Sequence, residues 1–343
     1  MSIVPEKIGF DDILLVPRYS DLHSRTEPDL SVSLGSEEYN IQLKTPLISS
    51  PMDSITGPNM LSAMHAVGGL GILSRYISLS LHMEIDRQSL ELRTAIFDGD
   101  AQNVGCAVGI HSSVEKTKRL LEAGCRVICV DVAHCDHSLA HRAIESVAKY
   151  RSDENVHFVL MAGNVCTRNA TRSLIGLGVD AIKVGVGPGA VCTTRKVTGF
   201  GVPQLSAIMD CSDTIKESKT KVSLIADGGI RTTGDMVKSL WAGADACMLG
   251  YMLAGTDCTP DIDGKKMYRG MSSRTVSRRD DVASEGINVE MGYQGGTIEK
   301  LTEYIQGIKS GLAMGGCKNI SDLRNYIECV RLSNAAMKES LTL

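Results

Sequence analysis

Short apolar runs recur along the chain, each closed by a loop and followed by a segment of helical period. The runs are Pro46–Ser49, Leu70–Ser74, Gly105–Gly109, Val127–Val132, His157–Ala162, Ala181–Val184, Ser223–Ala226 and Ala246–Leu249. They are apolar throughout and do not alternate, the pattern of strands covered on both faces. Between them, Ser113–Ala123, Leu139–Tyr150, Arg168–Leu177 and Gly234–Ala242 carry one apolar face at helical spacing. Eight strand–helix units predict an α/β fold, eight parallel strands closed into a single (β/α)8 TIM barrel. An open doubly wound sheet is the competing architecture. The missing G-x-G-x-x-G strand-to-helix turn weighs against it.

Three segments exceed a minimal barrel. Residues 1–44 form a polar, turn-rich leading arm, and Gly185–Pro203 is a long glycine-rich loop after the sixth strand. Residues 257–295 follow the eighth strand as a glycine-rich, charged flap, before a final helical region at Thr297–Lys309 and Ile320–Met337 within 296–343. The loop and the flap both begin at the carboxyl ends of strands, where barrel enzymes keep their chemistry. No low-complexity linker divides the chain, so one domain over residues 1–343 is expected.

Composition narrows the function classes. With 36 basic and 40 acidic residues the net charge is −4, and no basic cluster offers a footprint for nucleic acid. No apolar stretch approaches the roughly 18 residues a membrane helix needs. The amino terminus carries Glu6 and lacks the apolar core of a signal peptide. Eleven cysteines without a C-x-x-C pair, several inside apolar runs, read as reduced thiols in a cytoplasmic protein.

The strongest chemical signal is Gly185-Val186-Gly187-Pro188-Gly189-Ala190-Val191-Cys192-Thr193-Thr194-Arg195. Its alternate glycines expose backbone groups that can wrap an ion, and Arg195 and Lys196 beside Cys192 favour the nucleophilic thiolate. The plain alternative is a glycine turn with a spectator cysteine. Asp227-Gly228-Gly229 and Leu249-Gly250-Tyr251 end two further strands. Loops after strands seven and eight often hold phosphate, while an aspartate there suits a ribose diol, so together they suggest a nucleotide. Each alone is also explained as a tight glycine turn. His134, His137 and His141 could suggest zinc, but no distant ligand pair accompanies them, and Asp131 at the fourth strand's end is the better candidate. Arg274, Arg278, Arg279, Asp280 and Asp281 read as a solvated loop; Glu285, flanked by serine and glycine, could act as an acid or base over the mouth.

Several motifs in order resemble the IMP dehydrogenase/GMP reductase family over nearly the whole length. They are Phe10–Pro17, Ser49-Ser50-Pro51-Met52-Asp53, Ala162-Gly163-Asn164-Val165, the glycine–cysteine loop, Ala226-Asp227-Gly228-Gly229 and Tyr268-Arg269-Gly270-Met271-Ser272. The resemblance implies a (β/α)8 barrel, usually a homotetramer, binding a purine nucleotide (GMP or IMP) and a nicotinamide cofactor. Cys192 would attack purine C2 to give a covalent thioimidate, with Thr194 and Glu285 relaying the proton to departing ammonia. The nucleotide would lie against Ser50, Met52, Asp227, Gly228, Gly229, Gly250, Tyr251, Gly270, Met271, Ser272, Ala283, Ser284 and Gly286, with Asp227 on the ribose. Ser24, Arg25, Arg75, Asp131, Val132, Ala133, Val186 and Gly187 would face the cofactor, the arm from a neighbouring subunit. Carbonyls of Gly187, Gly189 and Cys192 would hold a potassium ion.

The resemblance leans to the reductase branch, which takes GMP and NADPH to IMP and ammonia. Ser24–Leu30, Gly270-Met271-Ser272-Ser273 and Ala283-Ser284-Glu285-Gly286 have its form; the segment between the last two lacks an Arg-Tyr pair, and no tandem regulatory (CBS) insert interrupts the barrel. Gly68–Ile72 is closer to the dehydrogenase branch. Arg75 stands where lysine is usual, Ala190 where serine often is, and Tyr251 where a small residue is usual. The alternatives are an IMP dehydrogenase without the insert, using Arg278 or Arg279, and a catalytically silent purine-nucleotide sensor.

Overall fold

The computed structural model describes residues 4–76, 103–111, 113–273, 276, 281 and 283–340. Eight parallel strands close into a barrel: β1 (Leu47–Ser49), β2 (Leu70–Leu73), β3 (Val104–Val108), β4 (Val127–Asp131), β5 (Val159–Val165), β6 (Ala181–Val184), β7 (Ser223–Asp227) and β8 (Ala246–Leu249). Each pairs with the next, and β8 returns to β1 through Cys247↔Leu47. Helices such as Ser138–Asp153, Arg168–Gly176, Gln204–Ser218 and Thr233–Trp241 cover the outside. This is the (β/α)8 barrel expected from the pattern.

The unalternating strands are explained by two cores. One set of alternate side chains, including Ile48, Ile72, Cys129, Met161, Ala181, Ile225 and Met248, fills the barrel interior. The other set, including Leu47, Leu73, Ile128, Leu160, Ile182 and Leu224, packs outward with the helices. Both faces are buried, so both are apolar. Side-chain caps start three of these outer helices: His137, Thr167 and Thr232 accept from Ala140, Ala170 and Asp235.

The arm carries a hairpin, Val32–Gly35 with Asn40–Leu43, whose Leu34 and Leu43 enter the interior core. Gly35 N donates to Ser223 Oγ at 2.9 Å, at the first residue of β7, so the hairpin plugs the amino-terminal end of the barrel.

Three expectations need correction. The fifth strand begins later and runs on through Gly163-Asn164-Val165, because a register shift there absorbs residues that read as a turn. The flap region is built around strands Asp261–Ile262, Lys265–Arg269 and Asn288–Glu290. The tail is not helical throughout: helix Thr297–Met314 outruns its expected end, and after Ile320–Tyr326 the strand Cys329–Arg331 pairs antiparallel with Ile13–Leu15. That partner lies more than three hundred residues away, where local periodicity has no view of it.

Candidate active site

A cavity of about 440 Å³ opens at the carboxyl ends of the strands. Cys192 lies half-buried in its wall, and its Sγ is 3.2 Å from Thr194 Oγ1. Thr194 Oγ1 in turn donates to Glu285 Oε2 at 2.6 Å. A hydroxyl has one proton and two lone pairs, so it can accept from the thiol while donating to the carboxylate. The three groups form a continuous path for a proton.

The path depends on how the flap is fastened. Thr193 N donates to Glu285 O at 2.9 Å, Ile287 N to Val191 O at 3.0 Å, and Gly270 N to Ile287 O at 2.9 Å. Gly270 and Gly286 stand back to back: a Cβ on Gly286 would lie 2.9 Å from Gly270 Cα, and one on Gly270 would lie 2.7 Å from Gly286 Cα. Glycine is needed at both for close approach, not for a positive φ. An ion pair between Arg269 and Asp53, plus Arg269 N on Ser54 Oγ at 3.2 Å, anchors the flap sheet to the segment after β1. Burial pushes the Asp53 carboxyl up against the opposing pull of Arg269.

Elsewhere in the lining, Asp131, Lys183 and Asp227 meet. Lys183 is 1% exposed and pairs with Asp131 Oδ1 and, at 3.3 Å, with Asp227 Oδ2. Burial alone would lower the lysine, but the two carboxylates outweigh it and hold its pKa above the ordinary value. Asn164 Nδ2 bridges Gly185 O at 2.8 Å and Asp227 Oδ2 at 2.9 Å. Gly163 gives the room: a Cβ there would sit 2.5 Å from Lys183 Cβ. Gln204 Nε2 holds Val184 O at 2.8 Å and Asp227 O at 3.2 Å.

Most residues expected in the site line this cavity: Ser50, Met52, Arg75, Asp131, Val132, Ala133, Gly187, Gly189, Cys192, Thr194, Asp227, Gly228, Gly229, Gly250, Tyr251, Gly270, Met271, Ser272 and Glu285. Gly286, Ser284, Ala283 and Val186 support it from behind or outside: Ser284 Oγ donates to Gly286 O at 3.2 Å, Ala283 is exposed, and Val186 is buried under the loop. Ser24 and Arg25 lie away from the cavity, on an arm held to the Thr297–Met314 helix through Lys309 Nζ and Thr26 O at 2.8 Å. Arg195 faces the loop: it donates to Val202 O at 2.6 Å and packs against Gly187 and Gly201. Arg274, Arg278, Arg279 and Asp280 lie outside the described residues.

Seven of the other cysteines are buried, while Cys166 and Cys258 are partly exposed and Cys329 is exposed. Burial pushes Cys135, Cys211 and Cys247 up to about 12, which keeps them as protonated, unreactive thiols. The histidines do not form a metal centre: His137 caps a helix, His141 Nε2 lies 3.1 Å from Asp136 Oδ1, and no group of three metal-binding side chains occurs among the described residues. Tyr251 is 45% exposed and tilts against Tyr268, ring centroids 6.0 Å apart. Burial drives the Tyr268 hydroxyl well above its ordinary value.

The residues missed from sequence were Lys183, Asn164, Gln204 and Tyr268. Lys183 left a readable trace, a single charge inside the apolar run Ala181–Val184. Asn164 and Tyr268 stood inside the family motifs without a role. Gln204 left no signal.

A (β/α)8 barrel whose carboxyl-end mouth gathers such polar side chains has the layout of a barrel enzyme, and comparison with known proteins narrows it. The family model described as IMP dehydrogenase / GMP reductase domain matches residues 7–342, and the chain belongs to that family. The inosine-5'-monophosphate dehydrogenase of Borreliella burgdorferi is 32% identical over 402 residues, 99% of this chain and 97% of that protein. That of Cryptosporidium parvum is 33% identical over 97% of this chain and 94% of its own length. The Aquifex aeolicus protein of the same name is 42% identical over 69% of this chain and 51% of its own length. Among the described residues no helix is long and apolar enough to cross a membrane.

Proposed function

We propose that the protein is a GMP reductase, converting GMP and NADPH to IMP, ammonia and NADP. The observation that carries this reading is the Cys192–Thr194–Glu285 chain, at 3.2 and 2.6 Å. Cys192 Sγ adds to purine C2, and the C2–N bond breaks as the amine leaves as ammonia. Nitrogen leaves poorly without a proton, which Thr194 passes between Glu285 and the departing group. NADPH, when bound, supplies the hydride to C2, after which the sulfur is released and IMP is formed. The flap's backbone bonds hold it against the cysteine loop, an arrangement that suits a reductase which must not hydrolyse its intermediate.

Asp227 takes the ribose diol, and the glycine turns at Gly228, Gly229 and Gly250 take the phosphate. Ala190 offers no hydroxyl, so backbone N–H groups carry that task. Arg75, Asp131, Val132 and Ala133 face the cofactor; the buried Arg75 Nε, without a partner among the described residues, suits an acceptor there. Carbonyls at Gly187, Gly189 and Cys192 are donors of the kind potassium prefers, and Gly187 at φ +81° turns the loop that presents them. Because Ser24 and Arg25 lie away from their own chain's cavity, the arm serves a neighbouring subunit in a homotetramer. Eleven free cysteines accord with a reducing cytoplasm.

The second reading is an IMP dehydrogenase, favoured by near-full-length similarity to proteins of that name. Purified protein is given GMP with NADPH, then IMP with NAD, and nicotinamide absorbance is followed. Oxidation of NADPH with GMP is expected. Reduction of NAD with IMP, and no reaction with GMP, establishes the dehydrogenase instead; turnover with neither pair leaves a nucleotide sensor.

A further inference from the structure

Four consecutive strands, β4 to β7, end in an inward-facing polar layer above an interior that is otherwise apolar. Asp131 closes β4, Asn164 lies in β5, Lys183 in β6 and Asp227 closes β7. One ammonium serves two carboxylates, and both of them line the cavity. We infer that Lys183 is a positioning residue that joins the nucleotide-side carboxylate Asp227 to the cofactor-side carboxylate Asp131, so that each ligand's affinity depends on both. The inference rests on the proposed function, which assigns the two carboxylates to different ligands.

The physical argument is one of shared charge. Lys183 is 1% exposed, so its proton donors reach neighbours and not water. The side chains of Asp131 and Asp227 are 16% and 18% exposed, and both line the cavity. A ribose diol offers hydroxyl donors to a carboxylate, in competition with the ammonium. When a diol engages Asp227, Lys183 is freed to lean on Asp131, and the reverse holds on the cofactor side. In a low-dielectric layer such a shift of one ammonium is worth far more than at the surface. Without the ammonium, two carboxylates would face the same cavity with no buried cation between them. The other titratable groups beside Lys183, Cys129 and Cys135, are held protonated by burial, so the exchange is confined to the two carboxylates. A lysine serving packing alone would not need two partners that both face the ligand space.

The test uses full-length protein carrying Cys192→Ala, which cannot form the covalent adduct, with GMP and NADP as probes, in calorimetric titrations of that parent and of its Asp131→Asn, Asp227→Asn and Lys183→Met variants. Expected are cross-effects: Asp131→Asn changes GMP affinity, and Asp227→Asn changes NADP affinity, each by about fivefold or more. Lys183→Met weakens both ligands, and adding Asp131→Asn to it brings no further change in GMP affinity. A merely structural lysine lowers the melting temperature but produces no cross-effects. If each carboxylate variant alters only its own ligand, the inference is overturned, and the two carboxylate variants decide this even if Lys183→Met does not fold. Parent protein that binds neither probe overturns the functional reading itself, and this inference with it.

Discussion

Thr194 and Glu285 are separated by 91 positions, yet the hydroxyl of one donates to the carboxylate of the other at 2.6 Å. The contact exists because the flap returns to the cysteine loop as a short antiparallel bridge, Cys192 opposite Gly286. Glu285→Gln keeps the shape of the contact and removes the charge that takes and returns the proton. Ammonia release should slow by about a hundredfold, within the usual range for general acid–base catalysis, while hydride transfer slows less. Single-turnover measurements of ammonia and of NADPH oxidation separate the steps. Equal slowing of both denies Glu285 a specific part in proton transfer.

Cys192→Ala should abolish turnover while GMP binding stays within about threefold of wild type, since the lost group forms the bond to C2 and contributes little to ground-state binding. Mass spectrometry of wild-type protein incubated with GMP should find an adduct at Cys192 and at no other cysteine. Turnover surviving in the alanine variant would falsify the assignment of the nucleophile.

Gly286→Ala places a methyl 2.9 Å from Gly270 Cα, with backbone on the other side and nothing flexible to give way. The strand bridge must open, which draws Glu285 from Thr194. A stability loss of about 1–3 kcal/mol is expected, the usual cost of overpacking. The fall in kcat should exceed the change in KM for GMP. Gly292→Ala in the same region meets nothing within 4 Å and should be nearly neutral. Equal effects of the two substitutions would contradict the close-approach argument.

His137 caps the Ser138–Asp153 helix through Nδ1, 3.4 Å from Ala140 N, and only the neutral ring can accept there. Burial lowers its pKa below the ordinary 6.5, aided by repulsion from His134 and His141. A lowered folded-state value means that the unfolded chain binds more protons just below 6.5, so stability is retained above that pH and lost as pH falls through the window. His137→Asn keeps a capping oxygen that does not titrate. Its melting temperature should fall less than the wild type's between about pH 7 and pH 5.5, the difference being below about 1 kcal/mol for one partly exposed cap. Parallel pH profiles for the two proteins would remove His137 from the titration.

Apolar runs with no polar alternation already imply strands buried on both sides, and their number implies the barrel. The glycines around Cys192 and the Asp227-Gly228-Gly229 turn are legible because strand ends, glycine freedom and polar side chains are local properties. What neighbours in sequence could not reveal is which distant groups become partners. Ile13–Leu15 pairing with Cys329–Arg331, Glu285 reaching Thr194, and Lys183 standing between Asp131 and Asp227 are all products of chain return. Local pattern responds to whether a side chain is buried, and so it marks Lys183 as unusual. Only barrel closure supplies the carboxylates that make burying its charge tolerable.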